Sequence, residues 1–465
     1  MQLKLRAKSY EMNMTEGPIL KKLIRYSLPL IGTNLLQILF NSADVVVLGK
    51  MVDAYAMGAV GSTSSLINLL LGLFVGLSSG ASVVVSRRMG AKDEEGAHKA
   101  VGTAIFLSLI CSVILLVVGV TCSRYFLQWM DTDPVLLDGA TRYMQIYFLG
   151  IPIILLYNFI ASILRAVGDT FRPLLYLLIG GVVNVGLNVF CIKVLHLTVE
   201  GVAIATVASQ LLSVILSLIA LLKSKGYGRL ILKYVKPDKR QLKDILKIGL
   251  PAGLQGMLFS LSNVVIQSNI NAFKAETIAG NTAAAQLDSL IYTLGNALSL
   301  SCMAFVSQNY GCGKIDRIKK VLLTSIGLST VVTLFFGMLI YLLADPLLSL
   351  FVDVPAVKEY AKIRLLVMCT TYFMCSIMEC FSYTMRSLGK SISAMIISLV
   401  GACAFRLLWV NTFFLLNPTR FMLYLAWPVS WVLTISIYLC FVIPMLSKLS
   451  KNMKEDSVQD NIEKI

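Results

Sequence analysis

Long apolar stretches separated by short polar segments run along the whole chain. A helix needs about 20 mainly apolar residues to cross the hydrocarbon core of a bilayer, and twelve stretches meet that length. The pattern therefore predicts an all-α integral membrane protein with twelve transmembrane helices. The predicted spans are 27–49, 58–85, 100–121, 140–163, 173–195, 201–222, 249–273, 278–307, 321–344, 361–385, 391–415 and 422–446.

Composition supports the same class. The 465 residues are 57% hydrophobic and only 14% charged, with a mean hydropathy of +0.78. Soluble domains carry about 25% charged residues, and disordered chains need low hydrophobicity, so both classes are excluded. The ten cysteines form no CxxC motif and the chain has two histidines. We therefore expect reduced, buried thiols, no zinc cluster and no cofactor.

The basic residues predict the topology. Of the 41 Lys and Arg residues, 31 fall in segments on the same side of the membrane as the N-terminus, and positive segments are cytoplasmic. We therefore expect a multi-pass protein of the cell inner (plasma) membrane with both termini cytoplasmic. This bias accounts for the net charge of +16, so no nucleic-acid partner is expected. The polar first 26 residues argue against a cleavable signal.

Motifs recur at an offset of about 221 residues. Six spans return the chain to its starting side, so a duplicated six-span unit keeps its orientation. The sequence thus predicts two six-helix lobes joined by a basic connector, which is either an amphipathic linker on the inner leaflet or a solvated charge run. The matched positions are Val85-Ser86 and Val306-Ser307, Gly90 and Gly311, Arg165 and Arg386, and Gly168 and Gly389. The predicted segments are 1–26 (cytoplasmic), 27–222 (N-lobe), 223–248 (connector), 249–446 (C-lobe) and 447–465 (cytoplasmic tail).

Ionisable residues inside spans are costly and mark functional sites by default. In the first half, Asp44 shares a helix face with Asn41 and Gln37. A carboxylate among amides at low dielectric takes up a proton or a cation, although a purely structural carboxylate is the alternative. Pro29, earlier in the same span, can bend the helix and serve as a hinge.

Asn184 and Asn188 are spaced four residues apart in the fifth span. They are predicted either to hold helices together, to offer oxygens to sodium, or to hold Asp44. Ion coupling is therefore assigned to Asp44, Asn41, Asn184 and Asn188, with no metal beyond a sodium ion near Asp44.

The second half contains Asp288, Glu379 and Arg406. We expect Arg406 to pair with one of the two acids, because an unpartnered charge is costly; a second proton or cation site is the alternative. Polar and aromatic side chains nearby can line a substrate cavity or serve in packing. The predicted substrate cavity comprises Gln37, Gln255, Gln286, Asp288, Tyr292, Glu379 and Arg406.

Two further patterns bear on mechanism. Gly72, Gly76 and Gly80 form a stripe of small residues that predicts close approach of another helix. No GxxxxGK[ST] motif occurs in the sequence, so transport would use an ion gradient or run downhill.

The sequence resembles the bacterial type of the multidrug and toxic compound extrusion (MATE) transporters, from about Met14 to Leu446. The motifs that carry the resemblance are Met14–Pro18, Ser27–Pro29, Asn41–Gly49 with Asp44, Ser86–Lys92, Leu164–Asp169, Gly249–Pro251 and Val306–Gly311.

The resemblance implies two six-helix lobes around a central cavity and efflux of cationic, often aromatic compounds driven by proton or sodium entry. Asp44 matches the acid of the family's first span and Asn184 its fifth-span Asn. Asn188 stands where the family often has Asp, and Gln255 lies near the place of a seventh-span acid.

The resulting hypothesis is a secondary antiporter, not an enzyme, that acts as a monomer on organic cations in the bilayer. A flippase for a lipid-linked precursor would need several deep basic residues, and only Arg406 is clearly deep. A membrane-embedded enzyme would need a nucleophile–base pair or metal ligands at membrane depth, and neither is evident. A passive channel fits duplicated lobes less well than alternating access does.

Overall fold

The computed structural model describes residues 11–52, 54–130, 132–271 and 273–462. The remaining ends of the predicted N-terminal segment and tail, 1–10 and 463–465, lie outside this part of the chain. Regular structure in the described residues is helical. The chain divides into two compact units, one built from 11–13 and 28–253 and the other from 14–27 and 254–462.

The first unit contains most of the first helix and the six that follow it. A 3₁₀ turn at Leu232–Tyr234 lies in the connector. The helices are α1 (Ile19–Met51, from Leu28 onward), α2 (Ala54–Gly90), α3 (Glu94–Trp129), α4 (Pro134–Leu149), α5 (Ile151–Ala166), α6 (Phe171–Lys193), α7 (Val199–Lys223) and the start of α8 (Lys239–Asn271, to Gly253).

The second unit contains the start of α1, the rest of α8 and all later helices. A π-helical segment at Leu399–Ala404 interrupts one of them. The helices are α9 (Ala275–Gly311), α10 (Ile315–Leu342), α11 (Ala344–Ser349), α12 (Pro355–Ser387), α13 (Ser391–Ser398), α14 (Phe405–Asn411), α15 (Phe413–Leu416), α16 (Arg420–Tyr424) and α17 (Ala426–Ile462).

Eleven stretches of helix in the described chain are long and apolar enough to cross a membrane, and α4 with α5 makes a twelfth when the bent pair is counted as one span. The two halves of that pair meet at 52° beside Gly150. Pro152, the second residue of α5, has no N–H to bond the carbonyl four residues earlier, so the helix breaks there. The predicted all-α, twelve-span class is confirmed.

The duplication is visible in matching contacts. The Ser86 hydroxyl donates to the Ala166 carbonyl at 3.0 Å, and Ser307, at the same offset, donates to the Ser387 hydroxyl at 3.0 Å. The turns that follow contain Gly168 with φ +92° and Gly389 with φ +80°. Only glycine adopts this left-handed backbone without strain, so both units form the same turn in the same way.

The glycine stripe permits close packing within the first unit, as predicted. A Cβ on Gly76 would lie 2.2 Å from the Gly253 nitrogen, and one on Gly80 would lie 2.6 Å from the Ile245 carbonyl. Gly72 meets nothing within 4 Å. The stripe therefore brings α2 against the start of α8 through two of its three glycines.

The basic connector packs on the first unit at the start of α3. The Thr103 hydroxyl donates to the Lys236 carbonyl at 3.3 Å and accepts from the Asp238 amide at 3.2 Å. The Asp238 side chain then accepts the Gln241 amide at 3.0 Å. This N-cap explains why α8 begins at Lys239.

The N-terminal segment is divided between the units. Its residues before Asn13 lie with the first unit, whereas Met14–Ser27 belongs to the second. The Met14 amide donates to the Gln308 side chain at 3.0 Å, and the Arg317 guanidinium donates to the Glu16 and Gly17 carbonyls at 2.9 and 2.8 Å. These bonds hold the segment before α1, and with it the start of α1, to the second unit.

Candidate functional site

Asp44 is a buried acid within the first span, with 8% of its surface exposed. The Asn188 amide donates to its Oδ1 at 2.6 Å, and the Thr206 hydroxyl donates to its Oδ2 at 3.3 Å. We call Asp44, Asn184, Asn188 and Thr206 the Asp44 cluster. It joins α1, α6 and α7.

The two asparagines complete this cluster because their four-residue spacing places both on one face of α6. Asn188 also donates to the Asn184 Oδ1 at 3.4 Å, and Asn184 donates to Thr206 at 3.4 Å. Asn188 is fully buried, and its own Oδ1 has no hydrogen-bond partner among the described residues. A buried orphan acceptor calls for an explanation, such as a bound ion or a proton on a neighbour.

Two residues predicted for this face lie elsewhere. Asn41 and Gln37 share the helix with Asp44 but are exposed and make no hydrogen bond to its carboxylate among the described residues. Thr206, which does bond the carboxylate, was not predicted. Its signal in the sequence is weak, because threonines inside spans usually bond their own helix, as Thr33 does with the Pro29 carbonyl at 2.8 Å.

In the second unit Asp288 forms a buried ion pair with Arg364. The Arg364 Nε lies 2.7 Å from the Asp288 Oδ2, and its Nη1 donates to the Asn281 Oδ1 at 2.7 Å. Asp288 is 2% and Arg364 8% exposed. The prediction that Asp288 or Glu379 pairs with Arg406 is wrong, because α12 packs along α9 and brings Arg364 onto Asp288.

Glu379 has only neutral hydrogen-bond partners in the described chain. The Tyr292 hydroxyl donates to its Oε1 at 3.2 Å, and the Asn296 amide lies 3.4 and 3.3 Å from its two oxygens. Asn296 also donates to the Tyr383 hydroxyl at 3.3 Å. Tyr292 is 42% exposed, so one side of this group opens to the unit's surface. No sequence pattern pointed to Asn296 or Tyr383 as members of this group.

Arg406 lies apart from both acids. Its Nε donates to the Ser430 hydroxyl at 3.0 Å and its Nη1 to the Asn263 Oδ1 at 3.3 Å. No carboxylate lies within 4.0 Å of its guanidinium among the residues that the structure describes.

Of the two predicted glutamines in the second unit, one is buried and one is not. Gln255 accepts from the Arg386 guanidinium at 2.9 Å and donates to Ser398 at 3.0 Å. These bonds make it part of a packed network. Gln286 is exposed on α9.

Two of the helix-interior prolines, Pro29 and Pro251, lie close to the unit boundaries. Pro29 lies two residues past Ser27, where α1 passes from one unit to the other, and Pro251 lies two residues before Gly253, where α8 does so. Proline removes one helical hydrogen bond and weakens the helix locally. The boundary at Pro29 is compatible with the predicted hinge, which stays a prediction.

No group of three or more His, Cys, Asp or Glu side chains that could hold a metal ion occurs in the described part of the chain. The oxygens of the Asp44 cluster, from a carboxylate, two amides and a hydroxyl, are the ligand types that hard cations prefer. The chemistry available there is proton uptake or weak cation binding.

Two duplicated units of apolar, membrane-length helices with acids buried inside them define a polytopic membrane transporter. The sequence model of the MatE family matches residues 29–190 and 251–409, and this chain belongs to that family. The resemblance seen in the sequence is therefore confirmed, and with it a transporter rather than an enzyme.

Similar proteins are named for multidrug resistance. The chain is 27% identical to the probable multidrug resistance protein YoeA of Bacillus subtilis, over 80% of this chain and 82% of that one. It is 30% identical to the probable multidrug resistance protein YpnP of the same organism, over 67% and 69%. A crystal structure of MATE in the bent conformation superposes with a TM-score of 0.87, covering 94% of this chain and 98% of that one at 22% identity.

Proposed function

We propose that this chain is an ion-coupled antiporter that exports cationic, amphipathic small molecules in exchange for H⁺ or Na⁺ by alternating access. The names of its relatives support drug export. The Asp44 cluster supports ion coupling, and it is the observation that carries the proposal. It holds a membrane-embedded carboxylate whose described partners are all neutral.

Protonation would rearrange the hydrogen bonds of this cluster. Ionised Asp44 accepts from the Asn188 amide and the Thr206 hydroxyl. Once protonated, the carboxyl becomes a donor, and rotation of the Asn188 amide would offer it the oxygen that has no other partner. A sodium ion would instead draw the same oxygens together. Either event alters how α1 is held against α6 and α7.

Coupling requires that the ion favour one conformational state over another, since a ligand of equal affinity shifts nothing. Asp44 lies on α1, the helix that changes unit two residues before Pro29. We infer that a change of bonding at Asp44 is transmitted along α1 to this proline. Asn184 acts as a positioning residue, because it bonds both Asn188 and Thr206.

The acid best suited to attract an organic cation is Glu379. Asp288 is neutralised by Arg364 at 2.7 Å, whereas Glu379 is held by Tyr292 and Asn296 and is partly exposed. The half-exposed Tyr292 ring adds an aromatic surface for cation–π contact. We further propose a plasma-membrane location, cytoplasmic termini and a monomeric transporter.

The test is dye efflux from cells expressing the chain or its Asp44→Asn variant, with the proton and sodium gradients collapsed separately. Asn cannot ionise yet retains hydrogen-bonding groups, so the variant should still reach the membrane. Its rate of gradient-driven ethidium efflux should fall at least tenfold. The matched control is Asp345→Asn, which removes an acid paired with Lys362 at the surface and should leave efflux unchanged.

Loss of wild-type efflux with one ionophore would identify the coupling ion. Normal gradient-driven efflux by Asp44→Asn would overturn the coupling proposal. No dye movement by wild type, despite correct membrane insertion, would remove the support for multidrug export.

A further inference from the structure

Arg406 is a deeply buried cation with unused donors. It is 3% exposed, and a guanidinium has five N–H donors. Two of these have acceptors in the described chain, on Ser430 and Asn263, which leaves three without one. Neutral hydroxyl and amide oxygens do not offset a full positive charge in a low-dielectric interior.

The ionisable side chains around and including Arg406 carry a net positive charge. The Trp427 ring lies 5.9 Å from the Arg406 guanidinium and 5.6 Å from that of Arg364. One carboxylate, Asp288, is bonded to Arg364. Two guanidinium groups and one carboxylate thus share this apolar region, so one further negative charge would balance it.

The backbone directs Arg406 into this position. The π-helical segment Leu399–Ala404 ends two residues before it. A π segment carries an extra residue per turn, rotates the side chains that follow and occurs mostly at functional sites. Phe259 adds a ring 5.9 Å from the guanidinium. Asn263, which holds Nη1, is itself exposed, so the group is reachable from the surface of the unit.

We propose that Arg406 binds a small monovalent anion, either a halide or the carboxylate group of a small molecule, beside the rings of Phe259 and Trp427. The planar donor fork of arginine suits such anions. The nearly complete burial of Arg406 restricts the site to small ones. This site goes beyond the proposed export function and does not depend on it.

The experiment measures the thermal midpoint of the purified full-length protein in detergent. Sodium salts of chloride, bromide or acetate replace 2-morpholinoethanesulfonate, a bulky anion, at constant ionic strength. Because a ligand that binds the folded state stabilises it, wild type should gain about 2 °C or more in a saturable manner with chloride or acetate. A halide-only response identifies a halide site; a response to acetate identifies a carboxylate site.

Arg406→Gln should abolish this anion dependence and, in the bulky anion, melt above wild type. The control Arg420→Gln removes a guanidinium that stacks 3.7 Å over the Tyr360 ring, and should keep the full response. An equal anion response in both variants, or none in wild type, would overturn the proposal. If Arg406→Gln does not fold, Arg406→Lys, which keeps the charge but not the fork, should weaken the response.

Discussion

The two units hold buried charges of opposite sign near equivalent, but not identical, positions of the repeat. In the first unit, Asn184 bonds Thr206 beside the Asp44 carboxylate. At the repeat offset, Thr206 corresponds to Trp427, and the position after Asn184 corresponds to Arg406. That pair is also in contact, at 5.9 Å. One unit thus holds an anion among neutral donors, and the other holds a cation among neutral acceptors and rings.

The two units share their turn contacts but not their buried charges. The serine contacts and left-handed glycine turns occur in both units, because the backbone needs them to fold. Asp288 and Glu379 correspond to Ile67 and Asn158, which carry no charge. Buried charge is therefore set independently in each unit, as expected if it serves function rather than packing.

The largest difference between the units should appear when a buried acid is neutralised. Asp288→Asn leaves Arg364 buried without its counter-charge and should lower the free energy of unfolding by about 3–5 kcal/mol. Asp44→Asn removes a charge that has no ionic partner, and should change stability by less than about 1 kcal/mol. Thermal or denaturant unfolding of the purified variants measures both.

The double variant Asp288→Asn/Arg364→Met is the control for this prediction. Removing both charges should restore most of the lost stability. An equal loss in Asp44→Asn and Asp288→Asn would contradict the distinction drawn between the units.

An intermediate loss of stability is expected at the left-handed glycine turns that both units share. Alanine at Gly168 or Gly389 must adopt a left-handed backbone, at a cost of about 1–2 kcal/mol in each case. At Gly168 the new Cβ would also lie 2.5 Å from that of Met12, whose amide donates to the Val167 carbonyl at 2.9 Å. Gly168→Ala should therefore lower the melting temperature more than Gly389→Ala. The reverse order would mean that the Met12 contact contributes nothing.

The smallest effect concerns Glu11, which lies on the first unit. Its carboxylate accepts the Gly228 amide at 3.1 Å, while burial raises the pKa of this group, against the lowering effects of its hydrogen bonds and of Arg172 and His98. Because the pKa of Glu11 is higher in the folded state, its side chain stabilises the folded state most when it is protonated. This stabilisation is lost as the pH rises through the interval between the unfolded and folded pKa values.

Glu11→Gln keeps the acceptor without the charge. At neutral pH it should slow hydrogen exchange at the Gly228 amide by a few-fold and remove the pH dependence of that exchange. Faster exchange in the variant would show that the ionised carboxylate is the better acceptor despite its burial.

The sequence predicted the spans well because each is a long apolar run, and it placed Asn184 and Asn188 on one helix face because of their four-residue spacing. Contact between these asparagines and Asp44 was one of three alternatives. The sequence could not identify which faces meet. Thr206 was missed for that reason, and Arg406 was paired wrongly because the crossing of α9 and α12, which brings Arg364 to Asp288, has no local signature. The Glu379 partners were missed likewise, since uncharged polar residues are common in spans.

The exchange of helix ends between the units has a consequence for biosynthesis. Met14 and Gln308, joined by a hydrogen bond, are 294 residues apart in the chain. At about 5–20 residues per second, a ribosome needs roughly 15–60 s to make the partner after the start of α1 has emerged. Leu23 and Tyr26, which are almost fully buried in the finished protein, are without their final neighbours throughout that interval. The insertion machinery must therefore shield the first helix until the second unit has been made.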